Sequence, residues 1–117
     1  MAKQKKNSSY TFIGVGSEFD GSINTPHEVR ISGNFRGEIT TEDTLIVGKD
    51  GVINAEISAK NVIVSGTIEG NIICKESIEL EESSVVTGDI TARELIINQG
   101  ATFHGVSKKM ELGVVDS

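Results

Sequence analysis

Apolar and polar residues alternate every two positions through most of this 117-residue chain, which is the spacing of β-strands. No stretch shows the 3.6-residue spacing of an amphipathic helix. Within the alternation one five-residue pattern occurs six times: apolar, polar, small, polar and then usually Ile. Its small residues fall at steps of 16, 18, 15, 18 and 17 residues and are Gly21, Gly37, Ala55, Gly70, Gly88 and Gly105.

A second motif, a short apolar strand, precedes each small-residue strand from the second copy onward. Its copies start at residues 29, 45, 62, 78 and 95. Repeats this short cannot bury their own apolar faces, so neighbouring copies must stack, and the linkers leave no room for crossover helices. The sequence therefore predicts an all-β single domain: a parallel β-helix of about six coils, each with two or three short strands.

Stacking places equivalent residues about 4.8 Å apart, in ladders that run along the helix. One predicted inward ladder is Phe19, Phe35, Ile53, Ile68, Val86 and Phe103, and another is Ile23, Ile39, Ile57, Ile72 and Ile90. The small residue between them is also predicted to point inward, where a larger side chain would collide with the opposite wall. Cys74 is predicted to share a small inward slot with Ala59 and Ala92.

The handedness of the coil follows from a second periodicity. A left-handed β-helix repeats an aliphatic residue every six positions, and the positions from Phe35 to Ala59 fit that spacing. The spacing fails at Ser65, whereas alternation by two persists throughout. We therefore expect the right-handed form.

Composition adds limits on partners and location. The net charge of −6 argues against nucleic acid as a partner, because phosphate binding needs a basic face. One cysteine cannot form an internal disulfide and fits a reducing compartment, and no apolar run is long enough to span a membrane. We expect a cytoplasmic β-helix domain over residues 11–110, with a basic disordered tail at 1–10 and a short disordered tail at 111–117.

Residues that could carry catalysis are few and scattered. His27 and His104 are predicted to lie in different coils, so they do not form a metal site together. Cys74 is predicted to point into the core, where it would not act as a nucleophile. Carboxylates such as Glu38 and Glu56 are predicted to stack in columns on the surface. Gly14-Val15-Gly16 lacks the third glycine of a dinucleotide loop, and no Gly-Lys-Ser/Thr phosphate loop occurs. We predict no enzyme activity, no metal and no cofactor. The alternatives are a left-handed β-helix enzyme, of the acyltransferase or metal hydratase type, and a monomeric binding module with one flat face.

Two surfaces are predicted to mediate assembly instead. Neither tail has a helical pattern that could cap the open ends of the β-helix. We therefore expect end-to-end stacking through Ile13, Phe19 and Ile23 at one end and Leu95, Ile97 and Phe103 at the other. Alternation by two also places Ile46, Ile63 and Ile96 on the outside, in one column with Arg30 and Glu79, as a stripe for lateral contact between filaments.

The repeat array as a whole resembles the bactofilins, bacterial polymer-forming cytoskeletal proteins. The matching segments include residues 12–16, 29–33, 37–39, 62–66, 70–72, 88–92 and 100–105. The resemblance implies a right-handed β-helix of triangular cross-section that stacks end to end into filaments without nucleotide. It also implies a homopolymer that scaffolds cell-shape or cell-wall machinery at the inner membrane face, with cell-wall-modifying or membrane proteins as partners.

In the bactofilins the N-terminal tail commonly carries membrane attachment. Here the tail offers Lys3, Lys5 and Lys6 but no bulky apolar residue before Tyr10 apart from Met1. Each lysine near an anionic leaflet contributes only about 1 kcal/mol, so one tail predicts a weak peripheral contact. Polymerisation would multiply many weak tails into firm attachment.

Overall fold

Thirteen β-strands make up the regular secondary structure of the computed structural model, which describes residues 10–109. The strands are β1 (Tyr10–Ile13), β2 (Glu18–Thr25), β3 (Glu28–Ile31), β4 (Asn34–Thr41), β5 (Thr44–Val47), β6 (Val52–Val64), β7 (Thr67–Glu69), β8 (Ile72–Leu80), β9 (Val85–Thr87), β10 (Ile90–Ala92), β11 (Glu94–Ile97), β12 (Thr102–His104) and β13 (Ser107–Lys109). Every strand pair is parallel. β1 begins at Tyr10, which the sequence had placed in the tail.

Backbone pairing arranges these strands as three faces of six strands each. The first face contains β1, β3, β5, residues 61–64, residues 77–80 and β11. The second contains residues 18–20, 34–36 and 52–54, then β7, β9 and β12. The third contains residues 22–25, 38–41, 57–59 and 72–74, then β10 and β13. Three strands, one on each face, complete a coil, so the predicted β-helix of six coils and triangular cross-section is confirmed, and its right-handed sense stays a prediction.

The two predicted inward ladders are confirmed by the strand registers. Phe19, Phe35, Ile53, Ile68, Val86 and Phe103 are successive partners on the second face. The five isoleucines are successive partners on the third face. The first face adds two ladders of its own, which start at Ile13 and Val29. The inner members of all four ladders are fully buried, and they form one continuous apolar core along the helix axis.

The predicted reason for the small residues is wrong for the glycines, whereas Ala55 is buried in the core, as predicted. Gly37 is exposed, and its φ of 129° is a backbone conformation that side-chain-bearing residues rarely adopt. A Cβ on Gly37 would overlap the carbonyl oxygen of Gly21 in the preceding coil, not the opposite wall of the core. The same contact along the stack occurs at Gly70, which faces Ala55. The glycines are therefore needed because neighbouring coils approach closely where the chain turns from the second face to the third.

The corners between the first and second faces come in two lengths. The longer corners are β-turns in which a backbone N–H donates to the carbonyl three residues earlier, as from Ser17 to Gly14, from Gly51 to Gly48 and from Ser84 to Glu81. The shorter corners use Gly33 or Gly66, where a Cβ would lie 2.5 Å or less from backbone oxygens of the preceding corner. The differences in loop length are therefore confined to the corners, and the strand registers on the three faces are preserved.

Candidate functional site

The candidates for catalysis do not assemble into a site. His27 lies at the corner between the first two coils, and His104 lies on the second face of the last coil. Across residues 10–109 no three side chains of His, Cys, Asp or Glu come together in a group that could hold a metal ion. Cys74 is fully buried beside Ala59, as predicted, and burial raises the pKa of its thiol to about 12. A thiol so protected does not supply a nucleophilic thiolate near neutral pH.

The two ends of the β-helix present open strand edges. β1 and β2 at one end, and β11, β12 and β13 at the other, each pair with one strand only within residues 10–109. Their outer edges carry backbone N–H and C=O groups that no described residue pairs. Such edges are templates for another strand. Both ends are thus suited to continue the parallel ladder into a second molecule.

At the N-terminal end, the predicted contact residues are the first members of three core ladders, one on each face: Ile13, Phe19 and Ile23. The Phe19 ring stacks on Phe35, with centroids 5.2 Å apart and planes inclined by 7°. Phe35 is buried, whereas Phe19 is 40% exposed because no coil covers its other side. Ile23 is half-buried above Ile39, but Ile13 is only 9% exposed. Phe19 and Ile23 therefore offer more apolar surface at this end than Ile13.

The C-terminal end has a similar form. Leu95 and Phe103 are half-buried above the fully buried Ile78 and Val86. Ile97 lies above Leu80 and is 49% exposed. The third face differs here, because Ser107 occupies the position that isoleucines hold in the first five coils. Apolar surface at this end is therefore concentrated on the first and second faces.

The outer surface of the first face carries the predicted lateral stripe. Ile46 and Ile63 are adjacent partners in the two middle coils and are half-buried, and Ile96 in the last coil is exposed. Arg30 and Glu79 occupy the same column. The structure adds Phe12, which is 60% exposed and pairs with Arg30.

The exposed position of Phe12 is not predicted by the repeat pattern. The first coil has Thr11 where later coils have an apolar residue, so the second motif is not recognisable there. Only an alignment of Phe12-Ile13 with Arg30-Ile31 would have indicated from the sequence that Phe12 belongs to the outward column. We name the complete set of residues the face-one column: Phe12, Arg30, Ile46, Ile63, Glu79 and Ile96.

The predicted membrane contact lies elsewhere in the chain. Lys3, Lys5 and Lys6 lie outside the described residues, as do residues 110–117. Within residues 10–109, no helix has the length and apolar character needed to cross a bilayer.

Comparisons with known proteins point to one family. The sequence profile described as "Bactofilin: Polymer-forming cytoskeletal" matches residues 11–108. Among solved structures, the chain is similar to the cytoskeletal bactofilin BacA, whose atomic structure was revealed by solid-state NMR, with 29% sequence identity and a TM-score of 0.77. The match covers 88% of this chain and 98% of BacA as solved. A comparison with curated proteins found no match.

Proposed function

The chain belongs to the bactofilin family of polymer-forming cytoskeletal proteins, and on this premise we propose that it stacks end to end into filaments through its terminal coils. The observation that supports this most is the state of the two ends. At each end, parallel strands stop with one open edge, and core ladders stop with apolar side chains that no further coil covers. A second molecule placed there would continue both the ladders and the backbone hydrogen bonds.

The driving force for stacking would be burial of the ladder ends. Full burial of a large apolar side chain stabilises by about 1.5–3 kcal/mol relative to its exposed state. Phe19 and Ile97 are about half exposed, and Ile23, Leu95 and Phe103 are partly exposed, so several such increments would contribute at each junction. Pairing of the open strand edges would add backbone hydrogen bonds, each with a net contribution of about 1 kcal/mol. Head-to-tail, head-to-head and tail-to-tail contacts all remain compatible with this account.

Assembly would need no nucleotide. The sequence contains no Gly-Lys-Ser/Thr phosphate loop, and Gly14-Val15-Gly16 leads into β2 rather than into a helix that could bind a phosphate. Protein concentration, rather than hydrolysis, would then control polymer length.

We further propose a scaffolding role at the inner face of the membrane in the cytoplasm. The family match supports a structural role in the cell, rather than catalysis. The basic tail with Lys3, Lys5 and Lys6 would give each subunit a weak contact with anionic lipid, and a filament would present many such tails together. Cell-wall-modifying or membrane proteins would bind to the polymer.

Electron microscopy of the purified protein tests the proposed function. We expect filaments in the absence of any nucleotide, with lengths unchanged after addition of ATP or GTP or after treatment with apyrase. Discrete trimers would favour the left-handed enzyme class, and monomers at high protein concentration would favour a binding module. Either result would overturn the proposal of a filament.

A further inference from the structure

The face-one column is complementary to itself when it is read in reverse. From the first coil to the sixth it runs aromatic, cation, aliphatic, aliphatic, anion, aliphatic. Reversal places Phe12 opposite Ile96, Arg30 opposite Glu79, and Ile46 opposite Ile63. We propose that the first face is a self-complementary interface, through which two copies of this chain pair side by side with their helix axes antiparallel.

The symmetry of such a pair follows from the strand directions. A twofold axis parallel to the strands, midway between the third and fourth coils, brings the first coil of one copy opposite the sixth of the other. It keeps each outward column opposite its counterpart, so every contact in the pair occurs twice. A second outward column lies two residues earlier in each strand and includes Glu28, Thr44, Asn61 and Ser77. There the same axis places Glu28 opposite Ser77 and Thr44 opposite Asn61, so no two like charges face each other.

Alternative arrangements are less favourable. If the columns faced each other without reversal, Arg30 would oppose Arg30 and Glu79 would oppose Glu79, and like charges in contact disfavour association. The reversed arrangement on the third face would place Glu38 opposite Asp89. On the second face it would place Asn34 opposite Val85. The first face is thus the one where reversal matches both charge and apolarity.

Local hydrogen bonds position the two charged groups on this face. The Arg30 guanidinium donates from Nε to Glu28, and 53% of its side chain remains accessible. The Glu79 carboxylate accepts a hydrogen bond of 3.0 Å from Asn98 Nδ2. A guanidinium can bind a carboxylate while it makes a further contact, because it carries five N–H donors in a planar fork.

The size of the face indicates when pairing would occur. Six coils at about 4.8 Å and four residues at about 3.3 Å give a face of about 29 by 13 Å, or roughly 380 Å² on each partner. Stable interfaces bury about 800 Å² on each partner, so one pair of subunits would separate readily. Stacked subunits would align many such faces, and lateral pairing of filaments therefore rests on the proposed end-to-end assembly.

Charge reversal tests the pairing with filaments present. Arg30→Glu and Glu79→Arg should each leave single filaments, because each places like charges opposite one another. The double variant should recover paired filaments. An equal mixture of the two single variants, each assembled into filaments before mixing, should also recover pairing, since each filament then meets one of the opposite charge. Arg36→Glu and Glu69→Arg on the second face are the matched controls and should leave pairing intact.

The readouts are filament width in electron micrographs and the fraction of protein pelleted at low speed. Paired filaments that persist in both single variants, or a mixture that fails to restore pairing, would overturn the antiparallel interface. Single filaments of normal length in those samples would leave the end-to-end proposal standing.

Cross-linking tests the same geometry without filaments. Phe12 opposes Ile96 in the antiparallel pair, whereas each of these residues lies five coils, about 24 Å along the axis, from its own counterpart. In a Phe103→Arg background, whose C-terminal end cannot stack, a mixture of Phe12→Cys and Ile96→Cys should therefore cross-link with a short bismaleimide into a mixed product. Cys74 is fully buried and contributes little background. Absence of a product that joins the Phe12→Cys variant to the Ile96→Cys variant would overturn the proposal even though filaments are absent.

Discussion

Gly88 lies against Gly70 of the preceding coil, and both residues adopt positive φ angles, of 135° and 140°. A Cβ on Gly88 would overlap the carbonyl oxygen of Gly70. That oxygen belongs to a corner whose backbone is hydrogen-bonded to both neighbouring coils, because the Gly70 N–H donates to the Thr87 carbonyl and the Asn71 carbonyl accepts from Ile57 N–H. It therefore cannot move aside cheaply. Stacking of coils in this protein therefore depends on backbone-to-backbone contact at one corner, in addition to side-chain packing in the core.

Replacement of Gly88 tests that contact. Gly88→Val should lower the free energy of unfolding by about 3 kcal/mol or more, because it combines a strained φ with overlap of backbone atoms. Urea denaturation followed by circular dichroism measures the loss. The control is Thr87→Val, which introduces the same side chain at the exposed adjacent strand residue and should stay within about 0.5 kcal/mol of the wild type. Equal midpoints for both variants would contradict the close approach of the coils.

The repeat pattern was sufficient to predict the core registers. Phe19 and Phe35 are 16 residues apart in sequence and are direct partners in the structure, as the repeat requires. The reason for Gly37 could not be derived in the same way, because periodicity identifies equivalent residues but not the φ angles at a corner. The repeat pattern alone also does not decide between two and three strands in each coil, since corners and short strands both contain alternating polar and small residues.

The outer surface was less predictable than the core. Alternation by two correctly predicts that Ile46 lies on the outside. The outward position of Phe12 is evident only from the strand register, which pairs it with Arg30. Corner length also varies without a clear sequence signal: one residue, Lys60, turns the chain where the next coil uses Lys75 and Glu76, and the register shifts there. Such irregularities depend on how neighbouring coils pack, which a single repeat does not encode.

Cys74 predicts a pH dependence of stability at alkaline pH. Burial raises the thiol pKa from 9.0 to about 12, so above pH 9 the unfolded chain loses a proton that the folded chain keeps. The contribution of the protonated, buried Cys74 thiol to the free energy of unfolding is therefore fully present below pH 9 and is lost as the pH rises towards 12. At pH 10 the loss should be about 1.4 kcal/mol.

The matched variant for this prediction is Cys74→Ala, since alanine already fills the same slot at Ala59 and Ala92. Urea unfolding of both proteins at pH 7, 9 and 10 isolates the thiol from other titrating groups. The difference in stability between wild type and variant should shrink, or reverse, as the pH rises. A constant difference across this range would mean that the Cys74 thiol is not desolvated in the folded state.

The basic tail predicts weak binding to anionic membranes that assembly strengthens. Replacement of Lys3, Lys5 and Lys6 by Gln should lower co-sedimentation with phosphatidylserine vesicles, by about 1 kcal/mol for each lysine in a single tail. The effect should be larger for filaments than for a variant that cannot stack. Vesicles of neutral lipid serve as the control, and equal binding of the triple variant to anionic vesicles would exclude the tail as the contact.

The most direct test of end-to-end assembly is the size of the particles that remain when one end is blocked. Phe103→Arg places a charge in the ladder of the last coil, next to Val86. It should abolish filaments and leave folded, soluble particles, whereas Val52→Arg on the exposed outer surface of a middle coil should assemble normally.

Analytical ultracentrifugation of Phe103→Arg also distinguishes the stacking modes. Monomers are expected if filaments stack head to tail, because every junction then needs the blocked end. Dimers are expected if like ends meet, because the N-terminal ends can still join, and adding Phe19→Arg should convert them to monomers. Folded Phe103→Arg in monomers or dimers is the result that this account predicts, and full-length filaments of that variant would contradict it.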